Sequence, residues 1–111
     1  MDISDIISGF LLEIRRGTVV LCVLAKLRQP TYGYNLIGEL AETGIPIEAN
    51  TLYPLLRRLE SQGLLASSWN TEGTKPRKYY VITELGADVL RALVKHWRTI
   101  TTNLDEILEG N

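Results

Sequence analysis

The stretch that decides the fold is "TLYPLLRRLESQGLL", residues 51–65. Its leucines recur at helical spacing and fall within one narrow sector of a helix: Leu52, Leu55, Leu56 and Leu59. Two adjacent cations, Arg57 and Arg58, lie on the opposite side of that helix. The pattern therefore predicts a short helix that its leucines anchor in the core and that presents a polar, cationic outer face.

Pro54 and Gly63 set the predicted limits of this helix. Proline has no amide hydrogen, so a helix tolerates it best in the first turn, where that hydrogen would have no intrahelical acceptor. This constraint places the start of the helix at Asn50 or Thr51, whose side chains can both cap a helix. Gly63 is predicted to end it.

Two helices are predicted ahead of this segment. The first runs from Ile3 to about Leu27, with apolar residues three and four apart. Pro30 ends it, and Thr31 is the predicted N-cap of the second helix, which runs from Gly33 to about Thr43 and stops at Gly44. The apolar residues of the second helix predict its buried face: Leu36, Ile37, Leu40 and Ala41.

A hairpin and one long helix are predicted to follow. The extended segments "LLASSWN" (64–70) and "RKYYVIT" (77–83) flank the loop "TEGTKP" (71–76). From Thr83, the predicted N-cap, to about Glu109, apolar residues are spaced 3, 4, 3, 4 and 3 apart: Leu90, Leu93, Trp97, Ile100, Leu104 and Ile107. A period of about 3.5 residues is typical of helix–helix pairing. We expect a mainly α fold with a β-hairpin wing: a winged helix-turn-helix domain over residues 1–82 and a dimerisation helix over 83–109.

The sequence gives little support to an enzyme. His96 is the only histidine and Cys22 the only cysteine, and Asp105 and Glu106 are adjacent, so their side chains point about 100° apart on a helix. No catalytic residue, metal site or cofactor is predicted. Cys22 is interpreted as a small buried hydrophobic residue. The N-terminus is acidic where a signal peptide would be basic, and no run is apolar and long enough to span a bilayer. These features predict a cytoplasmic protein without membrane association.

The distribution of charge indicates a nucleic-acid partner. The net charge is −1, but residues 50–80 carry five Lys and Arg against only Glu60 and Glu72, between two acidic flanks. Alone, Arg57 and Arg58 could simply solvate a surface helix. The predicted wing adds three further cations, Lys75, Arg77 and Lys78. Together the two clusters predict that the third helix enters the major groove and that the wing contacts phosphates or the minor groove. The predicted DNA-contacting residues are Tyr34, Asn50, Thr51, Tyr53, Arg57, Arg58, Lys75, Arg77 and Lys78.

Three segments of the chain follow one another in a specific order: "TYGYNLIGEL" (31–40), "NTLYPLLRRLESQGLL" (50–65) and "KPRKYYVITELG" (75–86). They resemble the successive signature segments of the PadR family of bacterial transcriptional regulators, and the resemblance extends over about residues 10–108. It implies a winged-helix repressor that binds an inverted-repeat operator as a homodimer through its N- and C-terminal helices. The short chain is similar to the small subfamily that includes the LmrR-type multidrug-sensing repressors.

The resemblance and the apolar seam together predict the dimer interface, namely Ile7, Leu11, Leu90, Leu93, Trp97, Ile100, Leu104 and Ile107. The resemblance further implies that Trp97 contacts a small aromatic effector at this interface. Two copies of Trp97 and Phe10 could together form a small apolar site for it. A plain packing role for Trp97 is an equal alternative. A winged-helix module that binds proteins, without operator or ligand control, is the alternative for the whole chain.

Overall fold

The computed structural model describes residues 2–110 and contains four helices and three strands in that range. In chain order they are α1 (Ile3–Lys26), β1 (Thr31–Tyr32), α2 (Gly33–Glu42), α3 (Ala49–Ser61), β2 (Leu65–Asn70), β3 (Arg77–Ile82) and α4 (Glu84–Leu108). The mainly α fold with a β-hairpin wing is therefore confirmed. Helix α1 continues without a break through Gly17.

One leucine-rich core joins α1, α2, α3, the sheet and the start of α4. Its most completely buried side chains are Val23, Leu24, Leu27, Leu36, Leu40, Leu52, Leu56 and Leu59. Complete burial of a side chain of this size stabilises the fold by about 1.5–3 kcal/mol. Leu55 is only half-buried, and Ala41 is exposed, so the predicted buried face of α2 was wrong at Ala41. Leu36 and Leu40 already fill the space between α2 and the core.

Helix α3 begins one to two residues earlier than predicted. Glu48 is its N-cap residue, without a side-chain cap, and the Glu48 carbonyl accepts from the amides of Thr51 and Leu52 at 3.0 and 2.9 Å. Pro54 therefore lies inside the helix, in the second turn, where it cannot donate to the carbonyl of Asn50. Because Asn50 is exposed, water can replace that donor. The prediction that Asn50 or Thr51 caps the helix was wrong, because the Glu48 carbonyl already accepts the first hydrogen bonds of the helix.

Thr31 does not cap α2 but belongs to a strand. Thr31 and Tyr32 pair with Tyr80 and Tyr79 of β3, which makes a three-stranded antiparallel sheet of order β1-β3-β2. Tyr32 is the N-cap residue of α2 and makes no side-chain cap hydrogen bond. A strand of two residues leaves no periodic pattern in the sequence. The strand is defined only by its pairing with the edge of β3.

Gly63 turns the chain from α3 into the wing, as predicted. Its φ of +81° is in the left-handed region that favours glycine. The Gly63 amide donates to the backbone carbonyl of Glu60 at 2.9 Å, and the Leu64 amide donates to that of Leu59 at 3.0 Å. These two bonds close the helix with a Schellman motif. Gly44 ends α2 in the same way, with φ of +83°. The sharp turn at Gly63 places β2 directly beside α3.

Thr83 connects the start of α4 to the end of α3. Its hydroxyl accepts from the Gly86 amide at 3.0 Å, as an N-cap does, and donates to the Gly63 carbonyl at 2.6 Å. The Thr83 amide donates to the carbonyl of Leu64 at 3.0 Å. Next to it, the Ile82 amide donates to the carbonyl of Leu27 at 2.8 Å. These bonds hold the first turn of α4 against the ends of α1 and α3.

The far end of α4 and the first half of α1 carry uncovered apolar side chains. Leu90 lies in the chain's own core with 3% of its surface exposed, so it has little surface left for a partner. Large apolar residues remain exposed at the other predicted interface positions: Ile7, Leu11, Trp97, Ile100, Leu104 and Ile107. Leu93 is half-buried. No helix within residues 2–110 combines the length and apolar character needed to cross a bilayer.

Cys22 lies half-buried on α1, beside the core. Burial raises the pKa of its thiol above the ordinary value, and the nearby Lys26 opposes this only partly. A raised pKa leaves less of the nucleophilic thiolate at neutral pH. The sequence-based interpretation of Cys22 as a packing residue agrees with this environment.

We predict that Gly86→Ala destabilises the fold by about 1–3 kcal/mol, because an added methyl group would overlap the Leu64 carbonyl and the Ile82 side chain. The matched control is Gly38→Ala on α2, where the methyl group meets no atom within 4 Å. Alanine should raise the stability there by about 0.5–1 kcal/mol through its better helix propensity. Urea denaturation of the three proteins measures both changes. Equal stabilities for the two variants would contradict the packing described at Gly86.

Candidate nucleic-acid interface

The N-terminus of α2, the outer side of α3 and the wing strands converge on one surface groove of about 390 Å³. We call it the wing groove. The residues that line it are Tyr32, Gly33, Tyr34, Tyr53, Arg57, Trp69, Pro76, Arg77, Lys78 and Tyr80. Five of the nine predicted DNA-contacting residues thus come together here. Tyr32 and Trp69 were not predicted, because they read as ordinary strand residues in the sequence.

Close packing of Tyr53 on Gly33 joins α3 to α2 beneath this groove. A Cβ at position 33 would lie 2.5 Å from Cε1 and 2.8 Å from the hydroxyl oxygen of Tyr53. Only a residue without a side chain therefore allows the Tyr53 ring to occupy its present position. Gly33 is buried at the start of α2, whereas one side of Tyr53 remains open to solvent. The glycine in "YGY" thus fixes the orientation of a side chain in the groove.

The cations of β3 are held against aromatic rings. The Arg77 guanidinium lies 4.7 Å from the centroid of the Tyr32 ring, and Lys78 Nζ lies 5.4 Å from that of Tyr80. Lys78 Nζ is also 3.6 Å from Glu60 Oε1, and the second oxygen of Glu60 accepts from the Ser67 hydroxyl. These contacts restrict both cations to the edge of the groove.

Arg57 and Lys75 complete the positive surface. Arg57 is exposed on α3, and within residues 2–110 no carboxylate lies within 4.0 Å of it. Lys75 is exposed in the loop between β2 and β3. In the same part of the chain, no carboxylate lies within 4.0 Å of Lys75 Nζ either, so both charges can interact with an anion that approaches the groove.

Arg58 and Thr51 face a different surface. They line a larger cleft, of about 910 Å³, which we call the α1–α3 cleft. Its other lining residues are Leu12, Arg15, Arg16, Val19, Val20, Pro46, Ile47, Glu48, Pro54 and Leu55. Adjacent residues of a helix point about 100° apart, and here Arg57 lines the wing groove whereas Arg58 lines the cleft. Asn50 is exposed at the start of α3 and is not among the residues that line either surface.

Phe10 and Trp97 lie on other parts of the surface, and neither lines the wing groove or the α1–α3 cleft. The Phe10 side chain on α1 is 61% exposed, and the Trp97 side chain on α4 is 41% exposed. Each ring could therefore contact another molecule. Their expected joint role in binding an effector was predicted for a dimer interface, so it concerns two chains.

The wing groove has the chemistry that a nucleic acid requires. Guanidinium and ammonium groups donate to phosphate oxygens and to base edges, and phenol rings offer both stacking surface and hydroxyl groups. The major groove of B-DNA is wide enough to admit an α-helix such as α3. Residues of the wing strands line the same groove as α3.

Comparisons with known proteins identify chains that are similar to this one in sequence or in fold. Residues 20–92 match the Transcriptional regulator PadR-like family. The chain is 56% identical to a PadR family transcriptional regulator from Eggerthella lenta, whose crystal structure superposes with a TM-score of 0.93 and a coverage of 97% of this chain and 96% of that one. It is 32% identical to the Transcriptional regulator Rv3488 of Mycobacterium tuberculosis over 88% of this chain and 90% of that protein. A PadR-like transcription factor from Bacteroides fragilis is also 32% identical, with a TM-score of 0.73 and a coverage of 89% and 98%.

We predict an energetic coupling between Gly33 and Tyr53. Gly33→Ala should displace the outer end of the Tyr53 ring, because the new methyl group overlaps it, and should cost the packing that the partly exposed ring loses. In a Tyr53→Ala background the ring is absent, so the same substitution should cost less. A double-mutant cycle by urea denaturation should give a coupling energy of about 0.5 kcal/mol or more. Additive effects would show that the ring does not depend on this glycine.

Proposed function

The chain belongs to the PadR-like family of transcriptional regulators and is a DNA-binding regulator; from this premise we propose that it represses transcription by binding an inverted-repeat operator as a homodimer. The observation that supports the proposal is the wing groove, in which cations and aromatic side chains from α2, α3 and the wing line one surface. Related regulators support a role in gene control rather than in catalysis.

In this proposal α3 is the recognition helix and enters the major groove. Arg57 donates to O6 and N7 of a guanine, the pairing that the planar guanidinium favours. Asn50, exposed at the start of the helix, reaches a base edge, since residues near the N-terminus of a recognition helix make such contacts. Tyr34 and Tyr53 contact phosphate or base edges from the two sides of the groove.

The wing supplies contacts that do not depend on base sequence. Lys75 and Arg77 are exposed and neutralise phosphates or reach into the minor groove. Lys78 contributes in the same way once its ion pair with Glu60 loosens. That pair is partly exposed to solvent, and such pairs are worth only about 0–1 kcal/mol.

Dimerisation would cover the apolar side chains that the single chain leaves exposed. They lie along the first half of α1 and the second half of α4, and include Ile7, Leu11, Trp97, Ile100, Leu104 and Ile107, with the half-buried Leu93 beside them. Apolar surface removed from water contributes roughly 25 cal/mol per Å². A two-fold dimer presents two copies of α3 to DNA, which is why an inverted repeat is the expected site. Residues 83–109 then act as the dimerisation helix.

A second proposal concerns release from DNA. Two copies of Trp97 and Phe10 at a dimer interface would offer apolar rings on which a planar aromatic compound can stack. In this proposal the compound binds more tightly to a dimer arrangement that fits the operator poorly. Its binding would therefore shift the population toward that arrangement and release the DNA. The alternative remains that Trp97 only packs against the partner chain.

For DNA binding, we predict that Arg57→Ala lowers the preference for the operator over unrelated DNA by about 1–3 kcal/mol. Lys75→Ala and Lys78→Ala should instead weaken binding to all sequences and lower the salt slope of log K by about 1 each. The control is Arg91→Ala, because Arg91 is exposed on α4 and pairs with Asp88 outside the groove. Titrations by fluorescence anisotropy at several salt concentrations measure these effects.

Unchanged affinity in the Arg57, Lys75 and Lys78 variants would place the DNA contact elsewhere. Binding with no salt dependence would favour the alternative of a module that recognises proteins, since counterion release accompanies any contact with phosphates.

For effector binding, we predict that a planar dye such as acridine orange quenches part of the tryptophan fluorescence with a saturable dependence on dye concentration. Trp69 also emits, from the exposed wing, so Trp97→Phe is the necessary control. The variant should keep the Trp69 emission and lose the saturable quenching. Equal quenching in both proteins would leave Trp97 with a packing role alone.

A further inference from the structure

Within residues 2–110, one of the four cations proposed to contact DNA is paired with an acid of the same chain. Oε1 of Glu60 lies 3.6 Å from Lys78 Nζ, and Oε2 of the same carboxylate accepts a hydrogen bond from the Ser67 hydroxyl. In that range of the chain, the other three cations have no carboxylate within 4.0 Å: Arg57, Lys75 and Arg77. Glu60 therefore acts on one particular cation of the wing.

The Glu60 carboxylate joins the recognition helix to both strands of the wing. Glu60 belongs to α3, Ser67 to β2 and Lys78 to β3. Lys78 lines the wing groove, but Glu60 does not, so the acid holds the lysine from outside the groove. The Ser67 hydroxyl occupies the second carboxylate oxygen, and that bond can persist when the lysine leaves. The carboxylate thus has a fixed position that does not depend on Lys78.

The stability of the fold does not account for an acid at this position. Glu60 lies in the last turn of α3, where the helix pole is itself partly negative and disfavours a carboxylate. The Lys78 and Glu60 side chains are 33% and 32% exposed, and a pair this open to solvent changes the folding equilibrium by less than about fivefold. The larger effect of the carboxylate is on Lys78, because it neutralises an ammonium group beside the groove.

We propose that Glu60 competes with DNA phosphates for Lys78 and so lowers the affinity of the wing for DNA of any sequence. The inference rests on the proposed contact between the wing and phosphates. To reach a phosphate, the Lys78 ammonium must leave Glu60, and the carboxylate that stays on Ser67 then repels the same phosphate. Glu60 is a positioning residue in this role, since it acts through Lys78 and touches no base.

Attenuation at Lys78 leaves the base contacts of α3 a larger share of the binding free energy. Phosphate contacts are the same on every sequence, whereas Arg57 donates to base edges in the proposed complex. A regulator must find its site among a large excess of other DNA, to which phosphate contacts alone bind it. One neutralised wing lysine reduces that unproductive binding without any change to the residues that read bases.

Glu60→Gln tests the competition. The amide has nearly the shape of the carboxylate and its oxygen can still accept from the Ser67 hydroxyl, so the fold should be retained, which circular dichroism and urea denaturation check. Without the charge that holds Lys78, the affinity for a short duplex of arbitrary sequence should rise about threefold to fivefold at low salt. The gain should shrink as salt is added, because salt screens the pair that was removed. Fluorescence anisotropy titrations measure both effects.

A second variant keeps the test independent of net charge. Glu60→Asp retains the carboxylate but withdraws it from Lys78 by one methylene group, which lengthens a pair that is already 3.6 Å apart. Its affinity for the same duplex should lie between those of the wild type and Glu60→Gln. A loss of affinity in both variants would assign Glu60 to holding the wing against α3 and would overturn the proposal.

Two matched controls separate the competition from a general effect of charge. In a Lys78→Ala background Glu60→Gln should give little gain, because the lysine that it would release is absent. Glu72→Gln removes the same charge from the wing loop, and in the described part of the chain no cation lies within 4.0 Å of the Glu72 carboxylate. Its gain should be smaller than that of Glu60→Gln and should be the same with or without Lys78.

The outcomes distinguish this inference from the proposed function. If Lys78→Ala weakens binding but Glu60→Gln does not strengthen it, the wing contact stands and only the competition is refuted. A gain that persists in full without Lys78, or that Glu72→Gln reproduces, would also overturn the competition. If Lys78→Ala leaves binding unchanged, the proposed wing contact at Lys78 is itself wrong, and the competition fails with it.

Discussion

Burial of one face of α3 is the interaction on which the rest of the structure depends. Leu52, Leu56 and Leu59 are almost completely removed from water, against leucines of α1 and α2. Because a helix held by one face must expose the other, the same burial turns the polar residues of α3 outward. Pro54 is tolerated on that outer side, where water can reach the carbonyl that the proline leaves without its usual donor. The leucine face thus fixes both the core and the surface that is offered to DNA.

The turn at Gly63 fixes the position of the sheet relative to α3. It places β2 beside α3, and β3 then lies between β2 and the short β1 that precedes α2. Aromatic residues of β1 and β3 hold Arg77 and Lys78 at the edge of the groove. The wing cations are therefore positioned relative to α3 by backbone pairing and by ring contacts, not by their own charge. This arrangement concentrates positive charge locally on a chain whose net charge is −1.

Thr83 and the first turn of α4 link the DNA-binding half to the proposed dimer interface. Hydrogen bonds from this junction reach the ends of α1 and α3, while the second half of the same helix extends away with its apolar side chains exposed. Since α4 is one continuous helix, any partner that holds its far end also constrains its near end. If a ligand at the proposed interface moved α4, this junction would transmit the movement to α3.

The sequence by itself determined the order of the elements, their approximate limits and the family, because leucine spacing, turn glycines and the three signature segments are local properties of the chain. It also identified five residues that the fold brings together in one groove. Only the tertiary structure decided which surface each remaining residue faces. Arg57 and Arg58 are neighbours in the chain, yet the packing of α1 against α3 sends Arg58 into a separate cleft with Arg15 and Arg16, far away in sequence. Likewise Thr31 became a strand residue and Leu90 a core residue because of neighbours that are distant in the chain, and no local pattern records such contacts.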